Sequence, residues 1–588
     1  MHFLAREGGG LHYHSTGVQP RVQSRVYSPE TRVPSSKSGI IDPIIFCLEA
    51  HLLTSRTRLS LLTLLSPLLL LPAGCGLKHA ENTPPTGNVL RIPLLADPTT
   101  FDPAKVEDGT TIDMLQQMFE GLVRWTPQNT LAPALAQKWD ISKDGLTYTF
   151  HLRPNVKFQD GNLMTAQDVY YSMRRALDPA LKSSVALSYL GDIKGAKELN
   201  SGKTKDLTGV KVIDAQTIAI TITAPKAYWI YTLTYPTAYV LSKAEAKDGV
   251  DLSDTDDANG AGTGPFRLTS YQRGSKVILT ANPAYWDGAP KLAGQERPII
   301  KDAGTRHDEY VAGQLDIVDE AKGDLDADEK DPNLKDQIKY WPRAATYYIG
   351  LNQKTFPAFA DVRVRQALAY ATDKKRLQSV VLRGKLDIAQ DILPVGIPGF
   401  DPQFQGLPYD PAKAKALLAA AGYPGGKGFP AINISFRESY PDLSKTVDLL
   451  RDMWQTNLGI TLQPKVTEWA VLLDQEHRNS LDCFHIRWAA DYLDQQDYYS
   501  ILLHTNAGEN HVLYSNPKFD ALCDKADVEQ NPAVRSGLYR QAARIAADEV
   551  PLIPLYYQKD IELVKPYVKN LDDGLMGHLP YKNLTLTK

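Results

Sequence analysis

Cysteine is scarce in this chain: Cys47, Cys75, Cys483 and Cys523 are the only four in 588 residues, and no two stand at CxxC spacing. That argues against a structural zinc site and against thioredoxin-like chemistry. Charge of one sign is lacking too. The 65 Lys and Arg nearly balance 68 Asp and Glu, giving a net charge of −3 without a basic block or stripe, so there is no electrostatic case for nucleic acid. No GxSxG elbow, HExxH helix or Walker loop occurs. Gly260-Ala-Gly-Thr-Gly264 has GxGxG spacing and runs into Pro265 and strand-like Phe266-Arg-Leu268 instead of a helix, which removes the phosphate-loop reading. The 12 histidines are scattered; His504 and His511, seven apart through a Gly-Asn loop, are the closest suggestive pair and weak evidence for a metal. No cofactor is expected. A chain this long without a catalytic constellation points to binding and away from enzymatic activity.

No run is long enough to span a bilayer either. In 59–71, nine of thirteen residues are Leu and none is charged. This run follows Arg56-Thr-Arg58 and leads into Leu71-Pro-Ala-Gly-Cys75, so basic flank, apolar core and small-residue site make a secretory signal. Cysteine after Ala-Gly resembles a bacterial lipobox, with Pro72 where Leu is usual, and Cys75 is the expected lipidation site. The signal begins some fifty residues late, and no Met lies between Met1 and Met114. Translation is therefore expected to start at a non-Met codon near 52–58, with 1–54 a misassigned or disordered extension, 55–74 the signal and 75–87 a polar, Pro-rich tether.

What the chain has in quantity is length for two or three domain-sized units, 43% apolar residues, 29 Tyr and 8 Trp. Val89-Leu-Arg-Ile92, Leu146-Thr-Tyr-Thr-Phe-His-Leu152 and Thr217-Ile-Ala-Ile-Thr-Ile222 read as strands. A helix is expected over 112–119, stopping at Gly121. Others are expected from Thr165 as N-cap to about Leu177, from Asp361 over 362–382, and from Asp410-Pro411 to Gly422. Irregular alternation of strands and helices gives an α/β class with mixed sheets.

The most informative stretch is Arg487-Trp-Ala-Ala-Asp-Tyr-Leu-Asp494, after the buried strand Cys483-Phe-His-Ile486. Asp491 or Asp494 could cap the helix that follows, over 498–503. Alternatively, Asp491 lies in a cleft walled by Trp488 and meets a cationic ligand group, with Ala489 and Ala490 allowing close approach. His485 reads first as a core histidine. Cys483 and Cys523 could pair in an oxidising compartment, or Cys483 could be a buried strand residue.

Several ordered blocks carry a family resemblance: Leu135-Ala-Gln-Lys-Trp139 through Tyr148-Thr-Phe-His-Leu-Arg153, Phe158-Gln-Asp-Gly161, Gly262-Thr-Gly-Pro-Phe266, Asn282-Pro-Ala-Tyr-Trp286, Asp361-Val-Arg-Val-Arg-Gln-Ala-Leu368 and Pro551-Leu-Ile-Pro-Leu-Tyr-Tyr557. From about Val89 onward the chain resembles the family 5 extracellular solute-binding proteins, and Trp488-Ala-Ala-Asp-Tyr492 is similar to the oligopeptide-binding branch that feeds ABC importers. The resemblance implies a two-lobed periplasmic-binding-protein-like clamp with an extra subdomain in the first lobe. Lobe 1 would span 88–341 and lobe 2 would span 342–556, with 557–588 returning to lobe 1.

An extended peptide would pair with Glu107-Asp108-Gly109 and Arg487-Trp488-Ala489, Asp491 would meet its α-ammonium, and Tyr557 and His485 would join the contacts. The arginine that holds a ligand carboxylate in relatives aligns with His485, with Arg487 two residues on. A tyrosine near the ammonium is missing from the aligned Ser183-Ser-Val-Ala-Leu187, and Gln558 follows Tyr557 where a third aromatic is expected. The implied protein is a monomeric, lipid-anchored receptor on the outer side of a membrane, partnered by short peptides and permease subunits. Within the same fold dipeptides, murein peptides, nickel or haem are the alternative ligands.

Overall fold

The computed structural model describes residues 87–588, apart from 253–257, 321–324 and 438–440. The expected signal peptide and Cys75 lie outside the described residues. Short strand β1 (Val89–Arg91) opens the fold, followed by the hairpin β2 (Val123–Trp125) and β3 (Leu131–Pro133). A four-stranded antiparallel sheet follows, made of β4 (Ala136–Ile141), β5 (Thr147–Leu152), β6 (Val210–Asp214) and β7 (Thr217–Thr221) in the order β4-β5-β7-β6. The inward residues of β5, Tyr148, Phe150 and Leu152, are buried and the alternate ones are not, the period-two pattern seen in the sequence. The helix Ala166–Ala176 starts at a capping box in which Asp168 accepts from the Thr165 backbone N–H and hydroxyl, both at 2.8 Å.

Strands β8 (Phe266–Gln272), β9 (Lys276–Ala281) and β10 (Gly294–Pro298) form a second four-stranded sheet, with β1 parallel to β10. The glycine-rich segment before β8 is a tight crossing. A Cβ at Gly262 would lie 2.1 Å from the Met118 carbonyl oxygen, and one at Gly264 would lie 2.5 Å from the Met118 carbonyl carbon. Only glycine permits that approach. Glu120 joins this segment to the Asn282–Trp286 block, accepting from the Thr263 hydroxyl at 2.8 Å, the Tyr285 hydroxyl at 2.7 Å and the Trp286 indole at 2.9 Å. These two sequence blocks therefore build the core of this half.

The largest sheet contains β11 (Ile317–Asp319), β12 (Ile338–Leu351), β13 (Ile432–Arg437), β14 (Leu462–Thr467), β15 (Cys483–Ala489) and β16 (Leu552–Val564), in the order β11-β16-β12-β15-β13-β14. Two separate apolar clusters line its faces, one around Ile349, Phe436 and Trp454, the other around Tyr348, Phe484 and Tyr498. The expected boundaries at 341/342 and 556/557 fall inside β12 and β16, the two longest strands. Their ladder is irregular between Pro342 and Thr346 and again between Tyr347 and Tyr348. There Arg343 turns out to Asp560 at 2.5 Å and Asp573 at 2.9 Å. Beyond β16 the chain packs on the first sheets' side: the Tyr567 hydroxyl donates to Asp316 and the Gln116 amide to the His578 carbonyl, both at 2.7 Å.

Two helix expectations need correction. The helix expected over 362–382 is two helices, Val362–Tyr370 and Lys374–Val380, because Asp373 breaks the run and caps the second by accepting from the Arg376 N–H. The helix expected over 112–119 is Gly109–Leu115, started by Asp108. Asp361 and Asp410 cap their helices as expected, accepting from the N–H groups of Arg363 and Lys413. Cys483 and Cys523 are both buried free thiols, so the disulfide alternative falls.

Candidate ligand-binding cleft

Strand β15 lies between β12 and β13, but the two neighbours cover unequal lengths of it. Pairing with β12 continues to Ala345–Ala489, whereas among the described residues the β13 ladder ends at Phe436–His485. Arg487, Trp488 and Ala489 lie beyond the last described pairing with β13. Arg487 and Ala489 are exposed, and Trp488 is half-buried against the Tyr348 cluster.

Just past β15 sits Asp491. It caps nothing: Asp494 accepts from the Gln496 N–H at 2.8 Å at the start of the helix Gln496–Leu503, and its carboxylate is also held bidentate by Arg535 at 2.6 Å twice. Asp497 accepts at one oxygen from both the Asp491 N–H and the Trp488 indole, each at 3.1 Å. These bonds orient Trp488 and the Asp491 backbone, leaving the half-buried Asp491 carboxylate free for another partner. Tyr189 lies beside that carboxylate and works against the effect of burial on it. It lies two residues past the segment Ser183–Leu187, on the helix Ala186–Leu190, and only the fold brings it to Asp491.

Tyr189 stacks on Tyr235 with centroids 3.6 Å apart, and the Tyr235 hydroxyl donates to the Val106 carbonyl at 3.1 Å. Val106 precedes Glu107-Asp108-Gly109, so this tyrosine pair links that segment to the surroundings of Asp491. Glu107 is exposed and accepts from the Ser184 hydroxyl. Asp108 is occupied as a helix N-cap, accepting from the Thr111 N–H at 2.9 Å, and Gly109 is the first helical residue. A second aromatic contact crosses nearby: Tyr228 stacks on Tyr492 at 5.9 Å, with the Arg535 guanidinium 5.9 Å from the Tyr228 ring.

The electrostatics favour a cation beside Asp491. Burial, assisted by the charge of Glu509 and opposed by Tyr189, pushes its carboxyl up to about 7. Burial and the Asp491 charge push Asp497 up as well. An incoming ammonium would relieve both. On the opposite strand face, His485 is buried and stacked 5.7 Å from Tyr347, and burial pushes it down to about 3. A neutral His485 leaves Arg487, which donates to Gln558, as the cation of that face. Gln558 in turn donates to Asp560 at 2.6 Å, so the residue standing where an aromatic was expected positions Arg487. Tyr557 is buried, edge-on to Phe400 at 6.1 Å.

A family model described as bacterial extracellular solute-binding proteins, family 5 (middle), matches residues 130–510. The chain belongs to this family. It is 32% identical to heme-binding protein A of Haemophilus influenzae over 501 residues, covering 82% of this chain and 89% of that protein. It is 30% identical to the periplasmic oligopeptide-binding protein OppA of Escherichia coli over 496 residues, with shares of 82% and 89%. Among solved structures, OppA of Haemophilus influenzae in complex with the peptide RPPGFSPFR superposes with a TM-score of 0.73 at 25% identity, covering 86% of this chain and all of that one. The fold is accordingly the two-lobed clamp of the periplasmic peptide-binding proteins. No helix among the described residues is long and apolar enough to cross a membrane.

Proposed function

We propose that this family 5 protein is an extracytoplasmic receptor that captures short peptides between its lobes and delivers them to an ABC importer. The observation that carries the reading is Asp491, a half-buried carboxylate in no ion pair among the described residues, two residues past the end of β15 at Ala489. A peptide laid along Arg487–Ala489 would make main-chain bonds to β15 and bring its α-ammonium to Asp491 and the Tyr189 hydroxyl. The exposed Arg487 would serve a ligand carboxylate farther along. Haem and nickel carry no α-ammonium, and the buried, neutral His485 offers no cationic contact, so peptides fit this cleft better. We further assign the lobes to 88–341 with 557–588 and to 342–556, hinged at the irregular stretch of β12 and β16, and a lipid anchor to Cys75. Two acyl chains hold a protein stably at a membrane where one would be marginal. Native mass spectrometry of the purified protein tests the ligand class: co-purifying tri- to pentapeptides are expected, and haem in their place would refute it.

A further inference from the structure

His477, Glu509 and His511 are separated in sequence and meet in the half that carries β15. His477 ends the helix Trp469–His477, while Glu509 and His511 stand in the loop after Gln496–Leu503. One ligand atom from each lies within 4.8 Å of the other two. His511 is buried, with Nδ1 2.9 Å from the Asn479 amide oxygen and Nε2 3.2 Å from a Glu509 carboxylate oxygen. Both ring nitrogens of His511 are thus directed at oxygen partners, with Nε2 turned to the carboxylate.

Ligand bonds of about 2.0–2.2 Å to a tetrahedral ion separate two ligands by about 3.3 Å, which matches the His511–Glu509 spacing. The His477 ring, exposed and 5.8 Å from that of His511, supplies the third corner and leaves the fourth toward solvent. Asn479 holds the His511 ring at Nδ1, as an outer-shell support does in metal sites, from a left-handed turn with φ of 52°. Its carbonyl is itself bonded by Asn352 at 3.4 Å.

We propose that His477, Glu509 and His511 form a binding site for a divalent transition-metal ion of the zinc or nickel type, separate from the peptide anchor. Two imidazoles and one carboxylate select such ions over magnesium or calcium, which want all-oxygen shells.

The test is calorimetric titration of ZnCl2 alone into the chelator-stripped protein without peptide. One saturable site is expected. His477→Ala and Glu509→Gln should each weaken it by at least about 100-fold, beyond the roughly 10–100-fold that loss of a supporting contact gives. His477 is exposed, so its variant keeps the core, and an unchanged circular dichroism spectrum checks both. His504→Ala, on the same loop but paired with Asp524 at 3.3 Å, should bind Zn2+ like the wild type. Absence of saturable binding, or binding indifferent to both ligand variants, overturns the site and leaves the peptide reading untouched.

Discussion

Replacing Asp491 with asparagine keeps the shape of the cleft and removes the charge meant for a peptide ammonium. In the free protein this substitution is nearly silent. An asparagine fits the same space beside Tyr189, and the first N–H of the helix behind it already bonds to Asp494. Burial already pushes the acid toward its neutral form, so the free variant should melt no lower than the wild type. In the complex the effect is large. An ammonium between closed lobes has lost its water, and truncating one side of a buried charged pair costs about 2–5 kcal/mol, or roughly 30-fold to several thousand-fold in Kd.

Calorimetry on wild type and Asp491→Asn, each with a free-amine and an N-acetylated peptide, isolates that charge: acetylated peptides should bind wild type poorly and lose much less on mutation. The pH dependence has a definite sign. The free carboxyl sits near 7 and the bound one is drawn lower by the ammonium, so binding releases a proton. Wild-type affinity should then fall up to about tenfold per pH unit below 7, while the variant stays flat. A free-amine peptide binding the variant within about threefold of wild type, less than 1 kcal/mol, would sink the anchor assignment.

Thiol titration of the denatured, unreduced described domain should count two thiols, from Cys483 and Cys523, because both are buried and unpaired; one or none would contradict the fold. Asp494→Ala strands the Arg535 guanidinium in a buried site and should cost about 3–5 kcal/mol of unfolding free energy by denaturant titration. His578 is opposed by burial, but Glu562 and Asp573 outweigh this and raise it to about 10. Its stabilisation is full below the unfolded value near 6.5 and lost as pH rises through 10, so the melting temperature should drop over that window and His578→Gln should flatten the drop. Small-angle scattering should show compaction on saturation with a tight peptide as the lobes close about β12 and β16; an unchanged profile would count against the hinge.

The contrast between what was legible in the residues and what was not follows the range of the interactions. Alternation in Leu146–Leu152, the Thr165 and Asp168 pair, and Asp410-Pro411 specify a strand and two helix starts from within a few residues, because those bonds close locally. The apolar run Cys483-Phe-His-Ile486 likewise marked a strand, but not its end, since the strand runs on through Arg487 to Ala489. Whether Asp491 was a cap could not be read there, since Asp491 and Asp494 have equal claims in sequence. The fold decided it by giving the Gln496 N–H and Arg535 to Asp494 and bringing Tyr189, some three hundred residues upstream, beside Asp491. The same holds for Glu120 binding Tyr285 and Trp286, for the backbone crossing that requires Gly262, and for His511 meeting His477 instead of His504. Each of these is a contact between segments whose separation along the chain carries no trace of their distance in space, so only tertiary packing could bring them together.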